Sequence, residues 1–200
     1  MEFQNVTYQG PPIDDPDILA ALPIEYRELL ENVNGLIAFA GGLHIRGACA
    51  APDWHSLRHA CHGPEALHTK FRAARPADLP FAQDAFGNQL LLREDQVWRL
   101  AAESGEVEPL GADLLTFLEE ACRDPIEYLS LAPLERFRAE GGDLRPGQLL
   151  NVDPPFVMQT AGLPSLRAIA AADRLGFLAH LSAQIANLPD GARVEFKIVE

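Results

Sequence analysis

Three histidines, His55, His59 and His62, fall within a span of eight residues, with Cys49 and Cys61 nearby. Imidazole and thiolate are donors that zinc prefers, and a helix would set His55 and His59, four apart, on one face with His62 close to it. A catalytic zinc site also needs a third ligand at the right distance and, as a rule, a carboxylate base. The segment has no His-Glu-x-x-His pattern, and its one glutamate, Glu65, lies beyond Gly63-Pro64. Histidines on a solvated helix face are the commoner arrangement, so the expectation is no metal and no cofactor. Nucleophilic catalysis has no frame either. There is no Gly-x-Ser-x-Gly, and no cysteine stands in a known nucleophile context. Gly41-Gly42 and Gly141-Gly142 lack the lysine and the spacing of a phosphate loop. The chain therefore reads as a non-enzyme, with a small metal-dependent enzyme built on the histidines as the rival.

Binding residues are a separate question. Trp54 and Trp98 are of the type that anchors interfaces, and Trp98, inside an apolar run, reads as core. Asp84 and Asn88 flank a loop and read as a solvated turn, with a binding role as the alternative. Trp54 and Asp84 are thus the candidate protein-binding residues.

The elements that must position these side chains centre on Leu79–Leu110. Short apolar runs separated by Gly87-Asn88, Glu94-Asp95 and Ser104-Gly105 read as an antiparallel meander of three or four strands. Gly87 sits where a loop tightens into a strand. Upstream, Val6 and Tyr8 alternate in a short strand or extended arm. Asp15 caps a helix whose first position is Pro16, a better account of Asp14-Asp15-Pro16-Asp17 than a metal site. Pro23 starts a second helix, Ile24 to Asn32, ended by Asn34-Gly35. Two short strands bracket Gly41-Gly42, and Asp53 caps a helix to Ala60. Downstream, Ala112 to Cys122 is a helix with Leu114, Leu115, Leu118, Ala121 and Cys122 as its apolar stripe. Past residue 143 come strands at Leu149–Val152 and Ser165–Ile169. A helix follows over Ala171–Leu188, with Leu178, Leu181, Ile185 and Leu188 on one face, and a terminal alternating strand over Arg193–Val199.

Two hundred residues with 16 basic and 29 acidic side chains carry a formal net charge of −13. Nucleic acid and anionic membranes as partners need a basic footprint that this balance does not supply. It suits a cationic protein partner, and it also keeps a protein soluble. Three cysteines, Cys49, Cys61 and Cys122, are an odd count at irregular spacing and read as reduced thiols. With no apolar run of about 20 residues and no basic, apolar leader at Met1–Asn5, the expected location is the cytoplasm.

One resemblance organises these signals. Phe81-Ala82-Gln83-Asp84-Ala85-Phe86-Gly87-Asn88 precedes a strand. Val97-Trp98-Arg99-Leu100, Ser104-Gly105-Glu106 and the helix at Leu114-Leu115-Thr116-Phe117-Leu118 then follow in order. Before them stand Leu22-Pro23-Ile24-Glu25-Tyr26-Arg27-Glu28-Leu29-Leu30 and Asn34-Gly35. Over Leu22–Tyr128 this order resembles the SUKH superfamily, in particular its bacterial branch related to fungal cell-wall-assembly regulators of the Smi/Knr type. Pro146-Gly147-Gln148, Pro154-Pro155, Ser165-Leu166-Arg167-Ala168 and Pro189-Asp190-Gly191 look like the extension of longer bacterial members. The resemblance implies an α+β domain over 1–143, an antiparallel sheet with helices packed on it, followed by an extension over 144–200. Because its alternating terminal strand must pair with something, the extension is expected to pack on the same domain or to pair in a homodimer. The resemblance also implies a non-enzymatic protein-binding module. Bacterial SUKH proteins are associated with immunity to polymorphic toxins, often nucleases, so the implied partner is a cationic toxin. A regulatory or scaffolding role of the Smi/Knr type is the alternative.

Overall fold

Apolar runs cut by tight two-residue breaks pair with their sequence neighbours. The computed structural model, which describes residues 2–158, 162–189 and 191–192, carries seven such strands in one sheet. They are β1 (Tyr8–Gln9), β2 (Leu36–Ala38), β3 (Leu43–Ile45), β4 (Leu79–Asp84), β5 (Gln89–Arg93), β6 (Gln96–Ala101) and β7 (Glu106–Pro109). They lie in sequence order, each antiparallel to the next, and β4–β7 form the meander expected over Leu79–Leu110. Glu94 and Asp95 both take positive φ, 53° and 61°, which closes the β5–β6 hairpin in two residues with Arg93 opposite Gln96. Pro80 has no amide to donate, and the register shifts between it and Ala82, so a bulge absorbs the missing bond.

Helices cover both faces of the sheet, and β5 accordingly puts a leucine on each. Leu90 and Leu92 join the larger core with Phe81 and Val97, under Tyr26 and Leu30 of α2 (Ile24–Asn32) and Phe117 and Leu118 of α5 (Leu114–Arg123). Leu91 points the other way, with Leu100, to Leu67 of α4 (Leu67–Lys70) and to Phe71. The α+β class is therefore plain, and no helix among the described residues is long and apolar enough to cross a membrane. Asp15 accepts the Ile18 amide at 3.2 Å and caps α1 (Pro16–Ala20), with Pro16 at its start.

Two expected helices need correction. The helix expected over Asp53–Ala60 begins four residues later, as α3 (Leu57–Cys61). Its cap is Ser56, whose Oγ accepts the His59 amide at 3.2 Å, because the chain from Asp53 to His55 is held in a turn against Pro52. In α5 the buried stripe is Leu114, Phe117, Leu118 and Ala121, the i, i+3, i+4, i+7 set. Leu115 stands outside it and is 47% exposed, while Cys122 is only partly buried.

After α6 (Pro125–Tyr128) and α7 (Ala132–Ala139), the chain beyond residue 143 packs against the sheet. Leu144, Leu150 and Val152 enter the larger core. Strands β8 (Gln148–Asp153) and β9 (Ser165–Ala170) pair antiparallel with each other, and the Leu150 amide donates to the Ala85 carbonyl at 2.8 Å. Helix α8 (Ala171–Ile185) then lays Leu178 on the second core. Its expected face is shorter than drawn from sequence: Leu178 and Leu181 are buried, Ile185 half-buried and Leu188 exposed. The strand expected over Arg193–Val199 lies outside the described residues.

Candidate protein-binding surface

His55 precedes α3 and is wholly buried, so it shares no helix face with His59. His59 is partly buried, and His62, at the end of α3, is exposed. The geometry behind the metal reading is thus absent, and no group of three or more His, Cys, Asp or Glu among the described residues is placed to hold a metal ion.

What His55 does instead is set by one oxygen. The Asn34 carbonyl can only accept, so the His55 Nε2, 2.9 Å away, must carry a proton. The neutral ring then accepts at Nδ1, 2.9 Å from His44 Nε2, which must donate. His44 Nδ1 in turn accepts from the Gln83 amide at 3.2 Å. Gln83 Oε1 receives Arg46 at 3.0 Å and Gln89 at 3.2 Å, and Arg46 also donates to Gln89 Oε1 at 2.7 Å and to the Pro80 carbonyl at 2.9 Å. Every bond in this chain points one way. Burial pushes both histidines below their ordinary pKa, and the Arg46 charge pushes the same way. Arg46 itself is lowered to about 10 by burial, with amide and carbonyl oxygens rather than a carboxylate as its hydrogen-bond partners. The chain ties β3 to β4, β5 and the loop before α3. Its role is to fix their register from inside, a place where an unmade bond is expensive.

Trp54 lids this chain. Its ring sits 4.9 Å from Tyr8, 5.3 Å from His44 and 5.6 Å from His55. The backbone at Gly147 passes so close that a Cβ there would lie 3.0 Å from the indole nitrogen. Much of its surface is thus already engaged within its own chain.

Asp84 is not in a solvated turn. It is buried, and its carboxylate accepts the amides of Phe86, Gly87 and Asn88 at 2.9–3.0 Å and the Asn88 side chain at 2.7 Å. Burial pushes its pKa up to about 6, against the pull of those four bonds. The same loop receives Arg174 from α8, which donates to Phe86 O, Asn151 Oδ1 and Glu103 Oε1 at 3.1–3.3 Å. Trp98 is half-buried on the second core, under the Arg93 guanidinium at 4.8 Å.

The open feature is elsewhere. A cleft of about 640 Å³ runs between the α1–α2 junction, Cys61 and His62 at the end of α3, the Pro76–Leu79 approach to β4, the β5–β6 turn and the start of α5. Leu22, Leu79, Leu92 and Leu114 make its floor. Glu25, Glu94, Asp95 and Asp113 stand around it together with His62, and no lysine or arginine lines it. Glu25 and Asp95 form no ion pair among the described residues, and Glu94 only touches Arg75 at 3.9 Å. Asp113 spends one oxygen capping α5 through the Thr116 amide at 2.8 Å, which holds its carboxyl below the usual range. The wall is stiff. Asp78 and Arg93, both nearly inaccessible, pair at 2.7 Å, so most of the Arg93 charge is met inside, with Glu94 beside it as a further attraction. One large apolar side chain of the lining remains exposed, Leu115 at 47%.

The sequence reading missed this surface. One signal was present: α5 has six apolar residues where four fill the stripe, so two fall outside it, and Leu115 is the large one. No protein-family model, curated protein or solved structure matches the chain.

Proposed function

We propose that the chain is a non-enzymatic protein-binding module of the immunity type, which binds and neutralises a cationic bacterial toxin, with nucleases as the class the SUKH resemblance favours. The observation that carries this reading is the field of the molecule. The chain carries thirteen excess negative charges, and a large cleft among the described residues has an apolar floor with four carboxylates and His62 around it and no lysine or arginine. Such a field accelerates the approach of a basic protein and repels nucleic acid, so the chain competes for the toxin and not for its substrate. The order of motifs from Leu22 to Tyr128 supports the same reading by resemblance. Affinity capture from the native cell is the test. A stoichiometric complex with a basic protein, whose toxicity or nuclease activity falls on adding the chain, is the expected result. A complex whose partner keeps its activity moves the reading to a Smi/Knr-type scaffold. No partner at any salt, together with turnover of a small molecule by the purified chain, overturns it.

A further inference from the structure

We propose that the cleft beside Leu115 is the surface that receives the partner, and that its occupant is a protein segment bearing one or two large apolar side chains flanked by lysine or arginine. The proposal rests on the protein-binding reading above and goes further by naming the site and the chemistry of what fills it.

Three observations select that occupant. The floor is apolar and the lining leaves Leu115 in water, an arrangement that excludes solvent only when another apolar group covers it. The lining carboxylates meet no lysine or arginine, with the His62 imidazole among them, and Glu25 and Asp95 form no ion pair among the described residues. A second copy of this chain would bring another thirteen negative charges to the same place, so self-association through the cleft is opposed by the field that favours a basic segment. The volume is in the range of small-molecule sites, but those place a few polar groups to converge on the ligand from the walls. Here the carboxylates stand around the opening and the floor offers leucine. That arrangement fits side chains inserted from a longer body whose charges stay at the rim. The Asp78–Arg93 pair holds one wall in place beforehand, which lowers the ordering cost of binding.

The test uses the full chain and a labelled short peptide that alternates leucine and lysine. Two control peptides of equal length carry serine for leucine, or glutamate for lysine. Binding is read by anisotropy at low and at physiological salt. The leucine–lysine peptide is expected to bind and both controls to fail. Leu115→Ser is expected to weaken binding several-fold, and Glu25→Lys with Asp95→Lys to weaken it about tenfold or more. All three positions are exposed, but Asp95 holds positive φ in the β5–β6 turn, so Glu25→Lys with Asp95→Asn, which keeps a residue suited to that φ, is the second variant and is expected to weaken binding in the same sense. A charge-matched pair away from the cleft, Glu140→Lys with Asp143→Lys, is expected to change binding by no more than about twofold. Equal loss with the remote pair, or equal binding of the serine peptide, means attraction to general acidity and overturns the cleft. Displacement of the peptide by spermidine, with Leu115→Ser indifferent, means a polyamine site and overturns it too. Failure of the cleft and failure of the underlying reading are separable. If a basic protein is captured equally by the wild type and the Glu25→Lys/Asp95→Lys variant, the cleft is wrong and protein binding stands. If the wild type captures none, the reading itself falls.

Discussion

A proton added to His44 must go on Nδ1, where the Gln83 amide already points a donor and the Arg46 guanidinium stands nearby. A proton added to His55 goes on its Nδ1, against the His44 donor. Both rings hold protons less firmly in the folded chain than the ordinary histidine pKa of 6.5. Their contribution to stability is therefore whole above that value and lost as pH falls below it, by up to about 1.4 kcal/mol per pH unit for each ring. Asp84 runs the other way. Its carboxyl, raised from 3.8 to about 6, contributes most at low pH, and that contribution is lost as pH rises through about 6. Two rings outweigh one carboxyl, so a denaturant titration is expected to give a lower midpoint near pH 5.5 than near pH 7.5. Equal midpoints would mean that the histidines charge freely where they are. Asp84→Asn turns an acceptor into a donor facing the Asn88 amide, and about 1–3 kcal/mol of stability is expected to go with it at neutral pH, measured by the same titration.

Between elements, the longest reach belongs to α8. Arg174 is wholly buried and ties that helix to the Asp84–Asn88 loop, to Asn151 of β8 and to Glu103. Arg174→Met keeps the length and deletes the charge, leaving Glu103 and Asn151 short of a donor. About 3–5 kcal/mol is the expected cost, read from chemical unfolding. Removing residues 144–200 takes Leu150, Val152 and Leu178 from the two cores, and aggregation or loss of a cooperative transition is expected. A truncated chain that stays soluble and melts unchanged would show those contacts to be idle. This scale also shows what was readable beforehand. Alternation and two-residue breaks placed β4–β7, and Asp15-Pro16 placed α1, because those signals are local. Arg46 and Arg174 were not readable. Nothing around either residue in sequence distinguishes a buried arginine from a solvated one, since their acceptors come from as far as 43 and 88 residues away. His55 was misread for a related reason: Asp53 is a good capping type, but Ser56 is where the chain actually leaves the turn. The cleft is assembled from five separate stretches, and only the surplus leucine of α5 announced it.

For the whole molecule, the decisive quantity is the ratio of long-range to short-range terms. With a field of −13 and an apolar floor, the association rate with a basic partner is expected to fall steeply between low and physiological salt, where the Debye length shortens to about 8 Å. The dissociation rate, set by the covered leucines, is expected to change far less. Surface plasmon resonance across a salt series separates the two. A dissociation rate that climbs as fast as the association rate drops would show that contact as well as approach is ionic.

The place of Leu178 has a consequence in time. The ribosome makes Leu91 and Leu100 long before it makes the helix that finishes covering them, and at about 5–20 residues per second the gap is on the order of ten seconds. Through that interval Leu91 and Leu100 have Leu67 and Phe71 over them but not Leu178, so that face of the nascent sheet is covered only in part. Hydrophobic holdases have their opportunity during those seconds, and ribosome-bound chains arrested before α8 should carry them while chains arrested beyond it should not.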